Sequence, residues 1–255
     1  MPAPENKFKN LLSEGQLQIG LWLGLATANS AELCGFAGFD WLVVDGEHTP
    51  SDLPLITSQL QALAASPSEA VVRVPIGETW MIKQFLDAGA QTILVPMVED
   101  AAQAAELVRA MRYPPAGVRG VGSALARASK YNTIPDYLTT ANEQVCLLVQ
   151  VESANAMKNI EAIAALDGVD GVFIGPSDLA ADMGFLGKAG APEVNAAVED
   201  GIKRILAQGK PAGVLTGDLT LAQNYIDQGA TFVAVGSDVG LLTKAAGDLA
   251  KKFKG

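Results

Sequence analysis

The sequence has little with which to hold nucleic acid, little to cross-link, and no apolar run long enough to cross a bilayer. Its 255 residues include 18 Lys and Arg against 28 Asp and Glu, a formal net charge of −10. Nucleic acid and anionic membranes attract basic surfaces, so neither is an expected partner. Only two cysteines are present, Cys34 and Cys146, and neither belongs to a CxxC arrangement. A disulfide framework is not expected, and a reducing compartment fits. No apolar stretch approaches the ~20 residues of a membrane span. Residues 1–10 are polar and carry no apolar core of a signal peptide, so the expected location is the cytoplasm. No GxGxxG follows the first apolar run, which argues against a dinucleotide-binding sheet. Histidine occurs once, as His48.

Against these absences, 49 % of the residues are apolar and 18 % charged, a globular balance. Eight short β-rich apolar runs stand at 19–25, 41–44, 70–74, 92–96, 145–151, 171–174, 212–215 and 232–235. Many are nearly continuous in Val, Ile and Leu, as strands covered on both faces should be. Helical patterns alternate with them at 31–37, 53–65, 79–88, 101–112, 154–166, 193–208, 219–228 and 239–253, and a short one at 7–12 precedes the first strand. Gly89, Gly209 and Gly229 stand where helices should stop, and Ser30, Ser153 and Thr220 at or near helix starts. Eight strands alternating with eight helices predict a single-domain TIM (β/α)₈ barrel, which typically takes about 250 residues. The connection 113–143 is unusually long. Its Arg and Tyr residues and a helical pattern at 124–130 predict an ordered segment, either a structural crossover or a functional loop.

In such barrels the chemistry sits at the C-terminal ends of the strands. Two of those ends carry Glu152 and Asp178. If their strands are parallel neighbours, with axes about 4.8 Å apart, the two carboxylates can share a hard divalent cation such as Mg²⁺ or Mn²⁺. Capping of a turn is the alternative role for Asp178. His48 follows another strand end, with Asp45 three residues before it. A carboxylate can fix the imidazole tautomer and raise its basicity, as a general base needs. Glu47 fits either a solvent-facing position or a helix contact. Arg73 interrupts the apolar run Val71-Val72-Arg73-Val74 and needs an anionic partner. That partner is either Asp45 or Glu152, in a salt bridge, or a substrate carboxylate or enolate oxygen. No lysine lies at a predicted strand end, so a Schiff-base mechanism lacks a candidate and carbonyl activation falls to a metal.

The segments WLVVDGEH (41–48), VVRVP (71–75), YPPAGVRGVG (113–122), LVQVES (148–153) and GVFIGPSDLAADMG (171–184), in this order, resemble the HpcH/HpaI aldolase family. The resemblance covers nearly the whole chain and is strongest to the 4-hydroxy-2-oxoheptanedioate aldolase type. It implies a class II pyruvate aldolase that cleaves 4-hydroxy-2-oxo acids to pyruvate, or a related 2-oxo acid, and an aldehyde. Glu152 and Asp178 would hold the metal (Mg²⁺ or Mn²⁺, with Co²⁺ or Zn²⁺ as alternatives), and pyruvate would chelate it. Arg73 would stabilise the enolate oxygen, and His48, oriented by Asp45, would act as acid and base. Ser177 and Asp178 would bind the pyruvate carboxylate through backbone N–H groups. Gln150, Trp22 and Leu215 would line the pocket, and Asp87 would reach a neighbouring subunit's site. A homo-hexamer, a trimer of dimers with the last helix exchanged, is the implied assembly. Two other enzymes compete with this reading: a CoA-thioester carbon–carbon lyase of the same superfamily, and a phosphate-substrate barrel that uses Val235 to Gly240 as an anion cradle.

Overall fold

The computed structural model describes residues 1–254. Eight parallel strands close one barrel in sequence order: β1 (Gln18–Leu23), β2 (Trp41–Asp45), β3 (Glu69–Arg73), β4 (Thr92–Val95), β5 (Cys146–Val151), β6 (Gly171–Ile174), β7 (Ala212–Leu215) and β8 (Phe232–Ser237). The predicted TIM barrel is the fold. Helix α1 (Lys7–Ser13) precedes β1. The outer layer follows as α2 (Ala28–Gly35), α3 (Leu53–Leu63), α4 (Thr79–Asp87), α5 (Ala101–Met111), α6 (Tyr137–Gln144), α7 (Ala154–Lys158), α8 (Ile160–Ala164), α9 (Pro176–Asp182), α10 (Pro192–Ala207), α11 (Leu219–Asp227) and α12 (Asp238–Lys254). No helix among the described residues is long and apolar enough to cross a membrane.

The apolar strand runs divide between two cores because successive side chains alternate faces. Leu42, Val44, Val72, Ile93, Val149 and Val172 point outward under the helices. Trp41, Val43, Val71, Leu94, Leu148, Phe173 and Phe232 point into the barrel. There the aromatic rings form a column. Phe8 of α1 closes the N-terminal end, its ring centroid 5.6 Å from Trp41 and 6.2 Å from Phe232. Phe173 continues the column 6.0 Å from Phe232, and Trp22 tops it 5.7 Å from Phe173. Glycines make room for these rings: a Cβ at Gly20 would overlap the Trp41 indole, and one at Gly213 the Phe232 ring.

Several boundaries depart from the sequence expectation for local reasons. Strand β1 stops at Leu23, because the carboxylate of Asp238 takes the N–H groups of Gly24 (2.7 Å) and Leu25 (3.2 Å). Thr27 rather than Ser30 caps α2, and Asp218 rather than Thr220 caps α11, whereas Ser153 caps α7 as expected. The helix expected at 154–166 is broken at Asn159, whose amide donates to the Glu99 carbonyl at 2.9 Å. Gly89, Gly209 and Gly229 do adopt the left-handed conformation. In the long connection, the helix expected at 124–130 is two single 3₁₀ turns, Ser123–Leu125 and Arg127–Ser129, separated by extended Ala126. The α-helix of that segment is α6, which buries only Tyr137 and Ala141. Arg119 orders the segment from within: it is buried, stacked 4.4 Å over the Tyr113 ring, and paired with Asp87 at 2.9 Å.

Candidate active site

The C-terminal mouth of the barrel opens into a cavity of about 860 Å³. Trp22, His48, Arg73, Gln150, Ser177, Asp178 and Leu215 all line it, whereas no lysine does. Glu152 and Asp45 lie just behind this wall, both buried. Asp87, the last residue of α4, does not line the cavity, and its carboxylate accepts from Arg119 of the long connection.

The in-register pairing of β2 with β3 sets Asp45 directly beside Arg73. Arg73 Nε donates to Asp45 Oδ1 at 2.8 Å and Nη2 to Oδ2 at 2.7 Å, a bidentate pair. Nη1 reaches Glu47 Oε2 at 2.7 Å, and the guanidinium lies 4.9 Å over the Trp22 ring. Trp22 also donates its indole N–H to Asp45 at 3.2 Å, so it is a platform for the pair as well as a wall. Burial alone would raise the Asp45 carboxyl. The hydrogen bonds and charge of Arg73, with the N–H groups of Glu47 and Trp22, outweigh burial and hold it below its ordinary value.

This geometry corrects one expectation. Asp45 does not orient His48, because both of its oxygens are committed to Arg73 and Trp22. The carboxylate beside the imidazole is that of Glu47, with Oε2 3.7 Å from His48 Nε2. Glu47 thus bridges the arginine and the histidine, a role that sequence inspection left open. Burial pushes its carboxyl up, Arg73 and His48 pull it down, and Asp45 and Asp178 push it up again; the balance lies above the ordinary value. The His48 side chain is 64 % exposed and lines the cavity, with Glu47 as its one partner among the described residues.

Strands β5 and β6 are parallel neighbours, as the Glu152–Asp178 pairing required. Glu152 Oε1 accepts the N–H of Met97 at 2.8 Å, and Oε2 accepts the amide of Gln150. Met97 reaches this position with φ +53, a left-handed backbone uncommon outside glycine. Gly175 packs flush on the pair, since a Cβ there would overlap the Glu152 carboxylate and lie 2.9 Å from the Gln150 amide. Burial, only partly offset by those two hydrogen bonds and reinforced by the charges of Asp178 and Glu47, lifts the Glu152 carboxyl to about 7. Asp178 stands in the first turn of α9, exposed to the cavity, and its carboxylate has no protein partner among the described residues.

The donor set suits a hard cation. Gln150 Oε1 is buried without a hydrogen-bond partner, Asp178 is free, and Glu152 meets carboxylate repulsion that a positive charge would relieve. No group of three or more His, Cys, Asp or Glu side chains clusters as metal ligands among the described residues. Glu152, Asp178 and the Gln150 oxygen would therefore leave positions for substrate and water, as magnesium-like ions favour.

Residues 18–245 match the family described as HpcH/HpaI aldolase/citrate lyase. The chain belongs to that family. It is one of carbon–carbon lyases, and this aldolase-family chain has strong relatives throughout its length. A hydroxypyruvate/pyruvate aldolase of Pseudomonas aeruginosa is 59 % identical over 255 residues, covering 100 % of this chain and 95 % of the relative. A 4-hydroxy-2-oxo-heptane-1,7-dioate aldolase of Shigella sonnei is 57 % identical over 249 residues, covering 98 % and 95 %. The crystal structure of a family protein from Burkholderia cenocepacia superposes with a TM-score of 0.94 at 40 % identity, covering 98 % of this chain and 100 % of the other.

Proposed function

We propose that this family member is a divalent-metal-dependent aldolase that reversibly cleaves 4-hydroxy-2-oxo acids to an aldehyde and pyruvate or a related 2-oxo acid such as hydroxypyruvate. One observation carries the reading: Glu152, a buried carboxylate whose ionised form a cation would favour, stands behind a cavity that contains a free carboxylate and no lysine. The names of the two curated relatives support the substrate class.

Glu152 and Asp178 would hold the ion, with the Gln150 oxygen beside them. When bound, the ion supplies Lewis-acid polarisation of the keto group. Arg73 spends two N–H donors on Asp45 and pairs with the Glu47 carboxylate, and its remaining N–H groups are left for the oxygen on which negative charge develops. The bidentate clamp and the Trp22 face fix the guanidinium before substrate arrives, so little reorganisation is needed in the reaction. His48 takes up and returns the proton, directly or through water, with Glu47 as the charge beside it. The N–H groups of Ser177 and Asp178, in the first turn of α9, face the substrate carboxylate. Trp22 and Leu215 wall the site.

Two rival readings lose support from the geometry. Recognition of CoA phosphates calls for free cations at the mouth, yet Arg73 is the only Lys or Arg of the cavity and is already paired. The Val235 to Gly240 turn offers little to a phosphate, since Asp238 and Ser237 take the N–H groups of Val239 (2.7 Å) and Gly240 (3.0 Å).

The proposal extends to assembly as a homo-hexamer built from dimers, in which Asp87 approaches a neighbouring copy's site. Its support here is α12, of which only Asp238 is buried, while Leu242, Leu249 and Phe253 are exposed at 57 %, 61 % and 81 %.

The deciding assay measures pyruvate release from a 4-hydroxy-2-oxo acid with and without chelator. Activity should vanish on chelation and return with Mg²⁺ or Mn²⁺. Turnover that survives thorough chelation, or borohydride trapping of a pyruvate adduct, overturns the reading. Glu152→Ala and Asp178→Ala should lose metal binding, whereas His48→Ala should keep it and slow turnover about 10²- to 10⁴-fold.

A further inference from the structure

A second cavity, of about 470 Å³, lies at the other end of the barrel from the catalytic mouth. It is bounded by the start of β3, the turn into β4, the end of α3 and the 127–131 segment of the long connection. Two half-buried side chains of opposite charge line it, and neither has an ion-pair partner among the described residues.

Arg127 is the first. Its guanidinium donates to the carbonyls of Ala88 (3.0 Å) and Leu60 (3.2 Å) and rests on Gly89, where a side chain would collide with it. These contacts fix its plane without neutralising it, and they use two of its five N–H donors. Glu69, the first residue of β3, is the second. Its carboxylate makes no hydrogen bond or ion pair among the described residues. Burial raises its carboxyl, with Lys7 acting against that and Glu5 with it. A charge withdrawn from water is costly unless paired. Here two half-buried charges line one cavity and do not pair with each other.

The backbone beside Arg127 is also held in an unfavourable state. Lys130, Tyr131 and Asn132 have φ values of +50, +55 and +68, three successive non-glycine residues in the left-handed region. Strain of this kind persists where the surroundings enforce it and concentrates at ligand clamps. The left-handed run sets Lys130, a second cation without an ion-pair partner among the described residues, and the ring of Tyr131 on the cavity wall. Leu60 and Leu63 supply the apolar part.

We propose that this cavity binds a free α-amino acid with an apolar side chain, its carboxylate on Arg127 and its ammonium on Glu69. The cavity is of the size that takes small ligands. Both unpaired charges are then satisfied by one molecule, and Leu60, Leu63 and Tyr131 receive its side chain. The site is separate from the catalytic mouth and does not depend on the reaction proposed above.

The test is calorimetric titration of the full-length protein with leucine, valine and phenylalanine, beside the two halves of leucine: 4-methylpentanoate, which lacks the ammonium, and 3-methylbutylamine, which lacks the carboxylate. At least one amino acid should bind with a Kd of about 1 mM or tighter, and each half-molecule at least about tenfold more weakly, a step of 1.4 kcal/mol. Glu69→Gln should weaken amino-acid binding by a similar factor. That variant leaves the fold intact, because the Glu69 carboxylate has no partner to lose among the described residues, and its melting temperature checks this. Arg127→Gln should do the same. The proposal is overturned if none of the three amino acids binds, if binding is undiminished in Glu69→Gln, or if 4-methylpentanoate binds as well as leucine.

Discussion

Glu152 carries the most informative single-residue energetics. Its carboxyl titrates near an ordinary 4.5 when unfolded and about 7 when folded. Between those values the folded state holds the extra proton, so this group's contribution to stability declines as pH rises through the window and is gone above it. The loss amounts to at most about 3 kcal/mol. The chelated protein should therefore melt at lower temperature at about pH 8 than at about pH 5 from this group, and Mn²⁺ should restore the difference by binding the ionised form. Glu152→Gln should flatten the profile and remove the Mn²⁺ effect. A chelated wild-type protein whose melting temperature rises steadily over that range contradicts the assignment. Glu152 and Asp178 were legible as a pair because each ends an apolar run. The partner of Asp45 was not, since proximity in sequence pointed to His48, whereas the strand ladder sets Asp45 against Arg73. The register of β2 against β3 was the missing information, and with it Glu47 follows as the neighbour of His48.

At the scale of elements, the strands were readable because double burial makes them continuous in Val, Ile and Leu. Helix α6 was not, because it buries only two residues and carries little apolar periodicity. The left-handed backbone at Met97 and the bare Cα of Gly175 escaped notice for another reason: both act through geometry that residue type does not announce. Their importance can be measured. Gly175→Ala places a methyl group against Glu152 and Gln150, so it should weaken divalent-metal affinity about 10- to 100-fold, the range seen when supporting contacts of a metal site are lost. Calorimetric titration with Mn²⁺ checks it, and unchanged affinity removes Gly175 from the account.

For the whole molecule, the barrel was evident from eight alternations, but its exterior was not. Leu242, Leu249 and Phe253 of α12 recur on one side of the helix and are exposed, a stripe of the kind that marks an association surface. If α12 mediates the proposed assembly, Leu242→Asp combined with Leu249→Asp should yield a smaller particle by light scattering than the parent protein. A double variant of unchanged mass would detach α12 from assembly.

Because aromatic rings fill the barrel from Phe8 to Trp22, reactants come and go through one door. In the proposed reaction the 2-oxo acid, held at the depth of Gln150 and Glu152, would stand behind the aldehyde. In cleavage the aldehyde must leave first, and in condensation it must arrive second. Product inhibition should show the 2-oxo acid competing with the 4-hydroxy-2-oxo acid and the aldehyde acting noncompetitively. The reverse pattern would require a back exit that the filled barrel does not have.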